Sequence, residues 1–262
     1  MSESRDQNLS LGFVPTMGAL HRGHLSLIEK ARSENDEVCI SIFVNPTQFG
    51  VGEDYESYPR SLQADIDAAR AAGANYIYAP KVEDIYPLYP KIEPLRFSSG
   101  QIVDTSIITG PLGNNWEGES RPGHFEGVCV VVARLFELVS PTRAYFGEKD
   151  FQQLRIIENM VDYMNLPVEI VRCETQRDSN GLALSSRNRY LNTEDYQAAL
   201  SIPRALLEGT AFDSRVEVDY FAVVDEASLL PVEKTDCTGL KLRKIFAGTV
   251  GKTRLLDNMA VN

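Results

Sequence analysis

The sequence predicts an α/β protein built on a doubly wound parallel sheet, followed by a less regular tail. Three observations lead there. Over residues 11–174, short apolar runs alternate with helical patterns, which is how strands joined by right-handed helical crossovers read. The runs themselves are continuously apolar, as expected of strands covered on both faces. Beyond about residue 175 the pattern shifts to one helical stretch and then alternating strands, so a boundary is placed there, giving domains 1–175 and 176–262.

Each element has its own reason. LGFVPT (11–16) is a short buried strand, and it leads through Met17-Gly18-Ala19-Leu20 into a helix over about 22–34 with Leu25, Ile28 and Ala31 on one face. VCISIFVN (38–45) is the second strand. A helix over about 60–72 is stopped by Gly73, and NYIYAP (75–80) is the third strand. Residues 86–122 are rich in Tyr, Pro, Gly, Ser and Asn and read as a long loop with one or two short strands; loops of that size are usually functional or mobile. An apolar helix over about 124–139 ends before Pro141. RAYFGEKD (143–150) is a strand running into a loop. Residues 150–165 are helical with Leu154, Ile157, Val161 and Met164 on one stripe, and PVEIVRCE (167–174) is the fifth strand. In the tail, 193–209 reads as a helix that Pro203 bends or splits. VEVDYFAVVD (216–225), LRKIFAGTVG (242–251) and TRLLDNMAV read as strands.

Composition excludes several classes. Apolar residues make up 43% of the 262, enough for a substantial core, and 24% charged residues argue against bulk disorder. With 26 basic against 37 acidic residues the net charge is −11, so phosphate-rich nucleic acid or an anionic membrane surface would repel the chain. No run approaches a membrane span, and residues 1–10 lack the apolar centre of a signal peptide. Cys39, Cys129, Cys173 and Cys237 form no CxxC pair. They read as buried thiols of a reducing cytoplasm, with disulfides or metal ligation as the alternatives.

The polar clusters fall where ligands bind. PTMGALHRGH follows the first strand, Asn45-Pro46-Thr47-Gln48 the second, and Gly147-Glu148-Lys149-Asp150 the fourth. In open α/β sheets ligands bind outside the carboxyl ends of the strands, near the switch in strand order. His21 and His24, two of only three histidines, sit three apart at the opening of a helix, with Gly23 between them. A helix N-terminus favours anions, and imidazoles there can donate to phosphate oxygens. The rival readings are a metal site with His124 as third ligand, or a structural pair. Ser185, Ser186 and Arg187 offer two hydroxyls and a planar fork suited to a polyphosphate, although that stretch taken alone reads more readily as a turn rich in Ser and Asn. Lys149 is a point charge at a strand end, beside Asp150. No P-loop, no G-x-G-x-x-G after a strand and no G-x-S-x-G elbow occurs.

These residues meet a family. H-x-G-H with a later SSRN resembles the nucleotidylyl-transferase superfamily. FVPTMGALHRGH, SIFVNPTQF, YPR, SRPGHFEGV, RAYFGEKDFQQL, GLALSSRNRYL and GKTRLLDN, in that order, are together similar to the pantoate–β-alanine ligase family. The resemblance is close over 11–192 and looser in the tail. It implies a Rossmann-like N-terminal domain and a smaller α+β C-terminal domain acting as a lid, in a cytoplasmic homodimer. It also implies that pantoate is joined to the α-phosphate of ATP, carried with Mg2+, and that the pantoyl adenylate is then attacked by β-alanine. No nucleic acid or membrane partner is implied.

Carried over residue by residue, ATP phosphates would meet His21, His24, Lys149, Ser185, Ser186 and Arg187. The rest of the nucleotide site would be Met17, Gly18, Ala19, Leu20, Arg22, Gly23, Gly147, Glu148, Asp150, Gln176 and Leu184. Asn45, Gln48 and Gln153 would hold pantoate. His24 matches the position usually given the active-site role, with His21, Lys149 and Arg187 beside it as the catalytic set, and the metal ligands stay open. Trp116, Gln176 and Asn180 stand where the family usually has an aliphatic residue, Val and Asp. Two other readings stay open. An enzyme that builds a dinucleotide would want a basic acceptor pocket in place of Asn45, Gln48 and Gln153, and a nucleotide sensor would show no turnover.

Overall fold

The structure is a computed structural model and describes residues 9–50, 52–232 and 238–261. The chain packs as two compact units, Met1–Gly147 with Gln153–Cys173, and Glu148–Gln152 with Glu174–Asn262. The segment 148–152 therefore groups with the second unit, although the sequence pattern assigns it to the first.

The first unit holds five strands: β1 (Leu11–Thr16), β2 (Glu37–Ile42), β3 (Tyr76–Tyr78), β4 (Arg143–Gly147) and β5 (Glu169–Cys173). All pair in parallel, in the order β3-β2-β1-β4-β5. The order reverses between β1 and β4, which is the switch point where α/β sheets bind ligands. The helices are α1 (Arg22–Glu34), α2 (Leu62–Ala71), the short α3 (Val82–Ile85), α4 (Thr105–Thr109) and α5 (Glu117–Ser120), then α6 (His124–Val139) and α7 (Phe151–Met164).

Side-chain alternation along each strand produces the double winding. Leu11, Phe13, Cys39, Ala144 and Phe146 pack in one core with α6 and α7, whereas Val14, Val38, Ile40 and Tyr145 pack in another with Ile28 and Ala31 of α1 and Ala69 of α2. Neighbouring residues of a strand face opposite sides, so continuous apolar runs are needed. α6 is buried nearly all round, as its mostly apolar sequence requires. Its Gly127 is required by close approach: a Cβ there would lie 2.3 Å from the Thr47 carbonyl oxygen.

Two expectations are corrected. β2 ends at Ile42 rather than 45, because Asn45 caps a 3-10 turn at Pro46–Gln48 and draws the chain out of the ladder. The 86–122 stretch forms short helices and turns, with an Arg96–Ile102 bridge in place of strands. Asp104 starts α4 by accepting from the Ser106 N–H at 3.0 Å. As Pro203 leads one to expect, the tail helix is split in two, α8 (Thr193–Ala199) and α9 (Ser201–Glu208). The break falls at Leu200, since Pro203 has no N–H for the Ala199 carbonyl and is tolerated only in a first turn.

The second unit adds an antiparallel sheet in the order β6 (Val216–Asp225), β7 (Leu242–Val250), β8 (Thr253–Val261). Leu182, Ile202, Leu206, Phe246 and Leu255 form its core. Among the described residues no helix is long and apolar enough to cross a membrane. Cys39, Cys129 and Cys173 are buried, reduced thiols, as expected. Burial pushes the Cys39 and Cys129 thiols up to about 12. Cys237 lies outside the described residues.

Candidate active site

The H-R-G-H turn folds as a reciprocal cap. His21 is the N-cap of α1, and its Nδ1 accepts from the Gly23 N–H at 3.1 Å, while His24 Nδ1 accepts from the His21 N–H at 3.3 Å. This is the capping-box arrangement with imidazoles in both roles. A ring nitrogen that accepts from a backbone N–H must carry a lone pair, so each neutral ring bears its proton on Nε2. The rings lie with centroids 4.1 Å apart, tilted by 39°. The pair is thus structural at Nδ1 and presents donors at Nε2. Arg22 is exposed and ion-paired with Glu29 of its own helix.

The loop before this turn is held by a buried carboxylate. Gly18 and Ala19 both have positive φ, 81° and 50°, a conformation that costs an alanine energy. The turn aims the Ala19 and Leu20 N–H groups at Asp65 Oδ2 and Oδ1, 3.0 and 2.8 Å away. Asp65 projects from α2 and is only 3% exposed. Consecutive backbone N–H groups of this kind form an anion nest; here the chain's own carboxylate fills it. The signal for Asp65 in the sequence is an acid on the buried stripe of α2, beside Ala69.

The two amides after β2 have different environments. Asn45 is 1% exposed. Its Oδ1 accepts from the Thr47 N–H and hydroxyl and from the Tyr86 hydroxyl, and its Nδ2 donates to Gln48 Oε1 and the Gly127 carbonyl. Every polar valence of Asn45 is used inside the protein, so it positions Gln48. Gln48 Nε2 donates to the Met17 sulfur at 3.3 Å, a weak acceptor, so a better acceptor could claim that donor cheaply. Gln153, half-buried in the first turn of α7, makes no side-chain hydrogen bond to another described residue.

His124 is engaged at both ring nitrogens, with the Gln48 carbonyl 2.8 Å from Nδ1 and Arg121 Nη1 3.0 Å from Nε2. The guanidinium can only donate, so Nε2 accepts and the proton sits on Nδ1, opposite to His21 and His24. Arg121 also grips Glu53 through two bonds, at 2.8 and 2.6 Å, and holds that carboxyl below the usual range. His124 is therefore no third metal ligand. Among the described residues no group of three or more His, Cys, Asp or Glu is placed to hold a metal ion.

In the second unit, Lys149 lies on the 3-10 turn Glu148–Asp150, which continues from Gly147 at the end of β4, and pairs with Asp150 at 3.2 Å. Ser185 caps the turn Ser186–Tyr190 through the Arg187 N–H, and Ser186 is buried. Gln176 and Leu184 face each other across a hairpin-like return, with the Leu184 N–H on the Gln176 carbonyl at 2.9 Å. Glu148 lies 3.8 Å from Arg243. The structure thus brings His21 to His24 and Met17 to Gln48, and gives Asn45, Arg22 and His124 internal partners. The bond from Arg121 to His124 and the carboxylate of Asp65 under the Ala19–Leu20 turn are contacts that sequence reasoning does not show.

Known proteins agree with this architecture. The family model described as pantoate-beta-alanine ligase matches residues 1–260. The pantothenate synthetase of Thermotoga neapolitana is 44% identical over 98% of this chain and 93% of its own length, and that of Aquifex aeolicus is 43% identical over 100% and 94%. The crystal structure of pantothenate synthetase from Thermus thermophilus superposes with a TM-score of 0.84 at 44% identity, covering 95% of this chain and 92% of that one. A Francisella tularensis pantoate-beta-alanine ligase, complexed with Beta-gamma ATP and Beta-alanine, superposes at 0.79 with 36% identity, over 98% and 92%. The chain belongs to the pantoate–β-alanine ligase family.

Proposed function

We propose that this ligase, which joins pantoate to β-alanine with ATP, works through a pantoyl adenylate and draws its phosphate donors from the imidazole pair and the Lys149 and Ser185–Arg187 segments. The single observation that carries this is the reciprocal cap of His21 and His24, which puts the proton of each neutral ring on Nε2. In the first step a carboxylate oxygen of pantoate attacks the α-phosphorus. The bond from that phosphorus to the α,β-bridging oxygen breaks, and pyrophosphate leaves. Two anions must meet, so the barrier is electrostatic and preorganised donors matter more than a base. In the second step the neutral amine of β-alanine attacks the acyl carbon, the carbon–oxygen bond to AMP breaks, and the amine loses a proton.

Family membership supports the following residue roles. His24 and His21 donate to phosphate oxygens, and Lys149 and Arg187 neutralise charge that grows on the leaving pyrophosphate, with Ser185 and Ser186 as further donors. Met17, Gly18, Ala19, Leu20 and Gly23, with Gly147, Glu148, Asp150, Gln176 and Leu184, line the nucleotide. Gln48 and Gln153 take the hydroxyls and carboxylate of pantoate, uncharged donors that do not quench the nucleophile, and Asn45 sets Gln48. Mg2+ arrives on the triphosphate as part of the substrate, which suits an ion that keeps most of its water and needs few protein ligands. Family membership supports a homodimer, which sedimentation would test. The buried thiols support a reducing, cytoplasmic setting.

The test is exchange of labelled pyrophosphate into ATP without β-alanine. Exchange that requires pantoate is expected. Exchange with a different acceptor would indicate a dinucleotide-forming enzyme, and none at all would remove the adenylate route.

A further inference from the structure

The segment Gly251–Asn258 has no part in the reaction described above, yet it ends in two buried polar residues, Asp257 and Asn258, 4% and 5% exposed. Both lie on β8. Successive strand residues face opposite ways, so the pair reaches two different segments of the same unit. Asn258 Nδ2 donates to the carbonyls of Glu148 and Lys149, both at 2.8 Å. Its Oδ1 accepts from Arg243 Nη1 at 2.6 Å. Arg243 is itself fixed, paired with Glu226 at 2.8 Å and stacked 3.9 Å from the Phe151 ring centre. Only an amide satisfies this place: it needs two donors for two carbonyls and an acceptor for a guanidinium.

Asp257 works on the other side. It takes both forks of Arg177, at 2.7 and 2.8 Å, in a bidentate pair. Arg177 also donates to the Gly181 carbonyl at 3.0 Å and the Asn258 carbonyl at 3.2 Å. The turn closed this way, with its Arg177–Ala183 bridge, leads directly into Ser185, Ser186 and Arg187.

We propose that Asp257 and Asn258 are positioning residues for phosphate chemistry. Asn258 sets the backbone from which Lys149 extends, and Asp257, through Arg177, sets the turn that delivers the Ser185–Arg187 segment. The inference rests on the reading of Lys149 given above. Neither residue touches substrate; each fixes the origin of a group that does. A displacement of about 1 Å at such an origin lowers a rate by about 100-fold, and two parallel hydrogen bonds to adjacent carbonyls restrain both translation and twist of the turn.

The experiment compares Asn258→Asp and Asn258→Leu, both close to asparagine in shape and both without the two donors. Folding is followed by the unfolding transition, and rates are expressed per folded molecule. The expected result is a fall in pantoate-dependent pyrophosphate exchange of about 30- to 100-fold in kcat. The KM for pantoate and the aminolysis of supplied pantoyl adenylate, which uses no pyrophosphate group, stay within about threefold. Lys149→Ala combined with Asn258→Leu is no slower than Lys149→Ala alone, because the two act through one group. Arg177→Lys keeps the charge but loses the paired fork, and it lowers exchange by about 10-fold, giving a second route if the Asn258 variants unfold. Folded variants that exchange at near-normal rates overturn the proposal, as does a multiplicative double variant. Normal exchange by Lys149→Ala would instead remove the reading of Lys149 underneath it, and a crippled Lys149→Ala beside active Asn258 variants would remove this proposal alone.

Discussion

The histidine turn of the first unit and the Lys149 turn of the second hold cationic or donor groups by opposite means. His21 and His24 are fixed by backbone N–H groups two and three residues away, within one turn of α1. The backbone of Lys149 is fixed by Asn258, 109 residues along the chain, and the approach to Ser185 by an Arg177–Asp257 pair 80 residues apart. A self-contained cap survives changes elsewhere in the fold. A turn tied by a distant strand depends on how that strand packs.

The sharpest test of this contrast removes each group while sparing its support. Lys149→Ala deletes the charge and leaves both carbonyl bonds of the turn intact; exchange of pyrophosphate should fall by roughly 3 kcal/mol in barrier terms, on the order of 100-fold or more. Its unfolding midpoint should not move, since the Lys149–Asp150 pair is partly exposed and worth little. Near-normal exchange by the folded variant would break the account of Lys149.

His21→Asn sharpens the other half. Asparagine is a good N-cap and can still accept from the Gly23 N–H, but it has no Nε2–H. Stability should stay within about 0.5 kcal/mol while kcat for exchange drops about 30-fold. A variant that loses stability and retains exchange would make the pair structural only.

The amide region is expected to respond more mildly. Gln48→Ala removes a neutral donor and should weaken pantoate by about 1–1.5 kcal/mol, with ATP nearly unaffected. Equal loss for both ligands would remove Gln48 from the pantoate pocket. Asn45→Ala, by contrast, should destabilise the protein, because it leaves the Tyr86 hydroxyl and the Gly127 carbonyl short of partners.

The smallest effect concerns acid. Arg121 lowers the folded pKa of Glu53 below its unfolded value, so in that window the unfolded chain binds more protons. The stabilisation is complete above the ordinary glutamate range and is lost as pH falls through the depressed value. Glu53→Gln should therefore flatten the acid limb of a stability–pH curve and leave neutral stability slightly lower. An unchanged acid limb would contradict the pairing.

How much is legible in the sequence follows the same division. β1 and α1 can be read to the residue, because a continuous apolar run and a 3.6-residue stripe are local signals. The His-x-Gly-His turn is legible as an anion site for the same reason, though not its reciprocal capping. The split at Leu200 falls three residues before the proline that causes it, because a proline acts on the carbonyl four positions back. Asp65 shows only as an acid on the buried stripe of α2, and Arg121 and the Asp257–Asn258 pair give no local signal, because Glu53, Arg177 and the Glu148–Lys149 carbonyls that they bond lie far away in the chain. Nothing in N-P-T-Q shows that Tyr86 and Gly127 bond the amide of Asn45.

The most direct test of the central claim is the tautomeric state of the three imidazoles, read from their ring nitrogens by NMR in 15N-labelled protein. His21 and His24 should appear as Nε2–H rings and His124 as the lone Nδ1–H ring. Adding MgATP should shift the Nε2 signals of the first two and leave His124 nearly still. A shared tautomer for all three, or a response to nucleotide confined to His124, would contradict the account.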